Sequence, residues 1–112
     1  MGLTVDQAIL QGIAAHNEGK LQEAERLYRL IIQSQSKHPD ANHNLGVLAA
    51  GVGKFEEALS HFKIALEESP EQGQFWLSYI KALIELGEID AARTLLNQGR
   101  DAGLKGDEVD KL

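Results

Sequence analysis

The chain predicts an all-α fold: three helix-turn-helix hairpins stacked into a right-handed superhelix, an α-α solenoid. Three observations carry this. The segments Gly19-Lys-Leu-Gln-Glu-Ala24, Gly53-Lys-Phe-Glu-Glu-Ala58 and Gly87-Glu-Ile-Asp-Ala-Ala92 recur at a fixed interval of 34 residues. Apolar residues within each unit return at helical rather than alternating spacing. Helix formers dominate the composition, with only two prolines in 112 residues. The repeats run over residues 5–38, 39–72 and 73–106, and residues 107–112 open a further capping helix.

In the first repeat, Thr4 and Gln7 have the spacing of a capping box, in which hydroxyl and amide each satisfy an orphan backbone N–H. Ala8, Ile9, Ile13 and Ala15 follow on one helical face. Gly19 ends that helix, because glycine adopts the left-handed C-cap conformation without a Cβ clash. A second helix over Leu21–Ser34 turns Leu21, Ala24, Leu27, Tyr28, Ile31 and Ile32 inward.

The second repeat opens at Pro39, whose missing N–H costs nothing in a first helical turn. A helix over Asp40–Val52 carries Leu45, Leu48 and Ala49 inward and stops at Gly53. Its partner over Phe55–Glu68 carries Phe55, Ala58, Leu59, Phe62, Ala65 and Leu66. In the third repeat, Phe75, Trp76, Tyr79, Leu83 and Leu86 line the first helix. Ile89, Ala92, Leu95 and Leu96 line the second, which Gly99, Gly103 and Gly106 progressively weaken. With Asp107–Leu112 giving barely one turn, Leu95, Leu96 and Leu104 are expected to be partly uncovered, so that self-association or fraying is expected at that end.

The net charge of −6 disfavours nucleic acid, which asks for a basic stripe. No cysteine is present, so disulfides and thiolate metal sites are excluded. No apolar run approaches a membrane span, and no secretory leader pattern opens the chain, so a cytoplasmic setting is expected.

The recurring slots resemble the tetratricopeptide repeat (TPR) family over nearly the whole chain. The second repeat carries Leu45-Gly46, Gly53, Ala58, Phe62, Ala65 and Pro70; the third carries Trp76, Gly87 and Ala92; the first carries Gly12, Gly19, Ala24 and Tyr28. The first repeat departs at Gln11, where leucine is usual, and lacks the closing proline, as terminal repeats often do. The stretch from Gly73 to Ile84, with the tail after Gly103, also resembles TPR segments that precede glycosyl-, sulfo- or methyltransferase domains in bacterial proteins.

The family resemblance implies that the first helix of each hairpin lines a concave groove. Slot by slot this gives Ile9, Ile13, His16 and Asn17; then Asp40, His43, Asn44 and Val47; then Gln74, Leu77, Ser78, Lys81 and Glu85. Asn44 falls where the O-linked N-acetylglucosamine transferase repeats hold a peptide backbone with asparagine, which can both donate and accept. Its equivalents here are Leu10 and Ser78, so the ladder is a single rung. The carboxylate clamp of the chaperone-binding members is missing: its slots hold Ile9, Ile13, Gln74 and Ser78, and only Asn44 agrees.

Four histidines raise the question of a metal, but only His38 and His43 are near neighbours, across a loop-to-helix junction at Pro39, and no cofactor is expected. No nucleophile elbow or phosphate-cradling glycine loop is present, so catalysis is not expected. These readings converge on a scaffold binding a protein or peptide segment. A substrate-presenting arm of a transferase and a self-association module are the alternatives.

Overall fold

The computed structural model describes residues 2–104, and the expected helix at 107–112 lies outside them. Six helices follow in order: α1 (Val5–Asn17), α2 (Leu21–Ser34), α3 (Pro39–Gly51), α4 (Phe55–Glu68), α5 (Gly73–Glu85) and α6 (Ile89–Asp101). They form three antiparallel hairpins in an elongated stack of 46 × 26 × 22 Å. Each helix packs on the next, and the first helices of hairpins two and three, α3 and α5, also touch directly.

The hairpin turns repeat one local solution. Gly19, Gly53 and Gly87 all have φ near +80°, at 78°, 81° and 77°. The backbone N–H of the residue after each glycine donates five residues back: Lys20 to Ala15, Lys54 to Ala49 and Glu88 to Leu83, at 2.8–2.9 Å. This is the Schellman closure, in which a left-handed residue lets the chain cap its own last carbonyls. The expected Thr4–Gln7 capping box forms at the head of α1 with bonds of 2.9 and 3.1 Å.

Small residues set the spacing between helices. Ala15, Ala24, Tyr28 and Leu45 form a core cluster from α1, α2 and α3; Ala49, Ala58, Phe62 and Ala82 form its counterpart from α3, α4 and α5. Each cluster therefore joins a hairpin to the following one, and Ala24 and Ala58 have no exposed surface.

Asn42 and Trp76 occupy the same slot 34 residues apart, and they do the same work with different chemistry. The Trp76 indole N–H donates to the carbonyl of Pro70 at 2.8 Å, and the Asn42 amide donates to that of Ser36 at 3.1 Å. Both tie the start of a first helix to the loop six residues behind it.

The structure departs from the sequence-based expectation at several places. Leu21 and Ile89, expected inward, are 45% and 48% exposed, because each begins a second helix at the edge of its hairpin. Their counterpart Phe55 is half-buried against the α3–α5 cluster, since its larger ring reaches across. Gly99 is buried inside α6, where a Cβ would come within 3.2 Å of Trp76 of α5, so its small size serves the packing of α6. Gly103, with φ +101°, is the residue that ends it. Leu95, Leu96 and Leu104 are half-buried.

Candidate functional site

The first helices α1, α3 and α5 carry all of the expected groove residues. Asn17, Asp40, Gln74, Lys81, Glu85 and Ile13 are exposed; Ile9, His16, Asn44, Val47 and Ser78 are half-buried. His43 and Leu77 are buried. These two shape the face from beneath and offer little surface for contact.

His43 is the centre of the arrangement. Its ring lies between Phe75 of α5, 4.7 Å away, and Phe62 of α4, 5.4 Å away. Its Nε2 sits 2.7 Å from Ser78 Oγ, and its Nδ1 lies 3.4 Å from Asn44 Oδ1. Because the Asn44 oxygen can only accept, this pairing favours the proton on Nδ1, with Nε2 accepting from the Ser78 hydroxyl. Ser78 Oγ in turn accepts from the Gln74 amide at 3.4 Å. A polar chain thus runs from α5 to α3 across the face: Gln74, Ser78, His43, Asn44. Burial holds the His43 pKa below the ordinary histidine value, while Asn44 and Asp40 pull weakly the other way.

Asn44 is oriented from two sides. Besides His43, it neighbours the Tyr28 hydroxyl of α2, which is buried and has no hydrogen-bond partner of full geometry. Burial raises the Tyr28 pKa, and the Asn44 amide beside it opposes that rise. A primary amide offers two donors and two acceptor lone pairs. These two neighbours engage at most one of each, which leaves a donor and an acceptor of Asn44 for a ligand.

Sequence reasoning missed the roles of three polar residues. His38 is the N-cap of α3, its Nδ1 accepting from Ala41 N–H at 3.1 Å. Asn42 is 1% exposed, with its amide donating to Ser36 and His38 carbonyls and its oxygen accepting from His61 Nδ1 at 3.1 Å. His61 therefore joins α4 to α3 inside the hairpin. Burial first, then the nearby Arg29 charge, lowers its pKa, and Glu57 opposes them. The signal available was the slot itself: Asn42 replaces an aromatic residue at a position that the repeat period marks as internal.

Among the described residues, no three histidine or acidic side chains come together as metal ligands. None of the described helices is long and apolar enough to cross a membrane.

Comparison with known proteins agrees with the three-hairpin fold. The chain is 28% identical over 104 residues to Regulatory protein RapD of Bacillus subtilis (strain 168), an alignment covering 81% of this chain and 29% of that protein. The chain thus spans less than a third of that relative's length. Its fold matches the Sgt2 TPR domain from Aspergillus fumigatus with a TM-score of 0.81 at 17% identity, covering 96% of this chain and 72% of that one. It also matches a mutant of MamA with a TM-score of 0.74 at 23% identity, covering 87% and 71% of the two chains. A family model described as Tetratricopeptide repeat matches residues 49–112, more than half of the sequence. With the 34-residue period and the three stacked hairpins, this places the chain in the tetratricopeptide repeat family.

Proposed function

We propose that this chain is an interaction scaffold that binds a protein or peptide segment in the concave groove lined by α1, α3 and α5. The observation that supports the reading best is Asn44, paired with His43 and lying beside the Tyr28 hydroxyl, yet left with a donor and an acceptor. A peptide segment in extended conformation presents that complementary backbone pair, whereas a helix keeps its own N–H and C=O groups paired internally. Beside it, exposed Leu10 and Ile13 and half-buried Val47 supply apolar area that the hairpins themselves do not use. Apolar surface next to fixed polar groups is what recognition of a peptide requires.

The test compares Asn44→Ala with Lys63→Ala, a change of an exposed residue on α4, on binding of a partner captured with the protein and then purified. Loss at Asn44 with an unchanged Lys63 variant supports the groove. A larger loss at Lys63 overturns it.

A further inference from the structure

We propose that the α1–α3–α5 face takes a segment whose apolar side chains are flanked by lysine or arginine; this rests on the reading of that face as the binding site. Two observations lead to it, one of charge and one of layout.

The charges are partitioned between the two sets of helices. The three first helices hold Asp6, Asp40 and Glu85 against one cation, Lys81. Every other described lysine and arginine lies on α2, α4, α6 or a loop. All three carboxylates are exposed, and the ion pairs among the described residues involve none of them. Asp6 and Asp40 stand in the first turns of α1 and α3. The partial positive charge of a helix N-terminus suits an acidic side chain there.

The layout places apolar surface next to that charge. Asp6, Leu10 and Ile13 follow one another at i, i+4 and i+7, which is a single stripe of α1. Asp40, Asn44 and Val47 form the equivalent stripe of α3, 34 residues on. Leu10 is 67% exposed and Ile13 40% exposed, so the α1 stripe is open to contact. Both stripes therefore run from a carboxylate at the helix start to an apolar surface one to two turns along. The complementary segment puts its cationic end at the starts of α1 and α3 and its apolar side chains over Leu10, Ile13 and Val47. An acidic segment meets unpaired carboxylates instead, which is repulsive and disfavours it.

The probes are two short fluorescein-labelled amphipathic peptides with the same leucine face, one flanked by lysines and the other by glutamates. Fluorescence anisotropy at low and at physiological salt reads their affinities. The lysine-flanked peptide is expected to bind about tenfold tighter or better, with the preference shrinking as salt screens it. Because the whole chain carries −6, a generic attraction must be separated from a local one. The double variant Asp6→Asn/Asp40→Asn is expected to weaken the lysine peptide several-fold. The double variant Glu67→Gln/Glu68→Gln on α4 changes net charge equally and is expected to leave affinity unchanged. All four positions lie outside the core, so the fold is kept and circular dichroism confirms it.

Equal affinity for the two peptides, both abolished by Leu10→Ser, keeps the face and overturns the charge preference. A lysine preference that survives both Leu10→Ser and Asp6→Asn/Asp40→Asn overturns the face as the binding site. Failure of the lysine peptide to bind, or equal weakening by the two double variants, overturns the proposal.

Discussion

Gly46 of α3 lies against the ring edge of Phe62 of α4 so closely that no Cβ fits between them. The same pair recurs one repeat earlier: a Cβ on Gly12 would stand 2.5 Å from the ring of Tyr28. One repeat later the slots hold Ile80, 1% exposed, and half-buried Leu96. The volume has been moved from the second helix to the first, and the hairpin still closes. What the fold requires at this point is complementary shapes on the two helices, and a glycine opposite an aromatic ring is one way of meeting it.

Gly46→Ala is therefore expected to destabilise the chain. Overpacking against an aromatic ring costs about 1–3 kcal/mol, offset in part by the better helix propensity of alanine, about 1 kcal/mol. Adding Phe62→Leu, which copies the third hairpin, should restore part of that stability. Urea denaturation of the two single variants and the double variant measures the coupling, expected above ~0.5 kcal/mol for residues in contact. Strictly additive values would show that the two side chains do not meet.

Ala58 is fully buried where α3, α4 and α5 converge through Ala49, Phe62 and Ala82. Ala58→Leu has no space to enter and should cost about 1–3 kcal/mol, seen as a clear fall in Tm. Its neighbour Glu57 is exposed and pairs with Arg29 only at 3.4 Å. Glu57→Gln should leave Tm nearly unchanged, since exposed pairs contribute about 0–1 kcal/mol. Matching melting curves for the two variants would contradict the packing described.

Much of the fold is legible in the sequence because a stacked repeat writes its constraints at a fixed period. The turn glycines, the alanine slots and the Thr4–Gln7 box each need a particular residue type for a local reason, so each can be read from sequence. The burial of His43 cannot. Helical periodicity says which residues share a face, but leaves open which of them the next hairpin covers, and histidine suits either side. Asn42 and Asn44 show the same limit: two residues apart on α3, one is locked inside the hairpin and the other is half-buried, next to His43. Leu21 and Ile89 read as inward from their apolar character alone, although a helix-start position at a hairpin edge is only half covered.

Stability should rise with pH between about 5 and 7. His43 and His61 both have folded pKa values below the ordinary histidine value of 6.5. As pH falls through 6.5 the unfolded chain takes up these protons before the folded one does, so folding loses stability down to the folded pKa values. Each histidine can contribute a slope of at most about 1.4 kcal/mol per pH unit. Urea midpoints measured across this range should fall on acidification, and His43→Gln should flatten the slope. A flat profile, or one that rises toward acid, would contradict the lowered pKa values of these two rings.

The two asparagines of α3 should separate stability from binding. Asn42→Ala removes the partner of His61 Nδ1 and the amide that donates to the Ser36 and His38 carbonyls, at a residue itself 1% exposed. The His38 carbonyl keeps its bond from the backbone N–H of residue 42, so the loss falls mainly on the half-buried His61 ring and on the tie to the Ser36 loop, and the variant should lose about 1–3 kcal/mol of stability. Asn44→Ala leaves a weak 3.4 Å hydrogen bond to His43 unmade and takes the amide from beside the Tyr28 hydroxyl, which has no full hydrogen bond to lose, so its unfolding midpoint should shift less than that of the Asn42 variant. Its cost should fall on ligand affinity, at about 1–3 kcal/mol when the ligand's backbone groups are left without hydrogen-bond partners. Thermal unfolding of both variants, followed by binding of the lysine-flanked peptide under conditions where each is folded, checks the division. An Asn44 variant that unfolds as readily as the Asn42 variant, while binding normally when folded, would move Asn44 from the groove to the core.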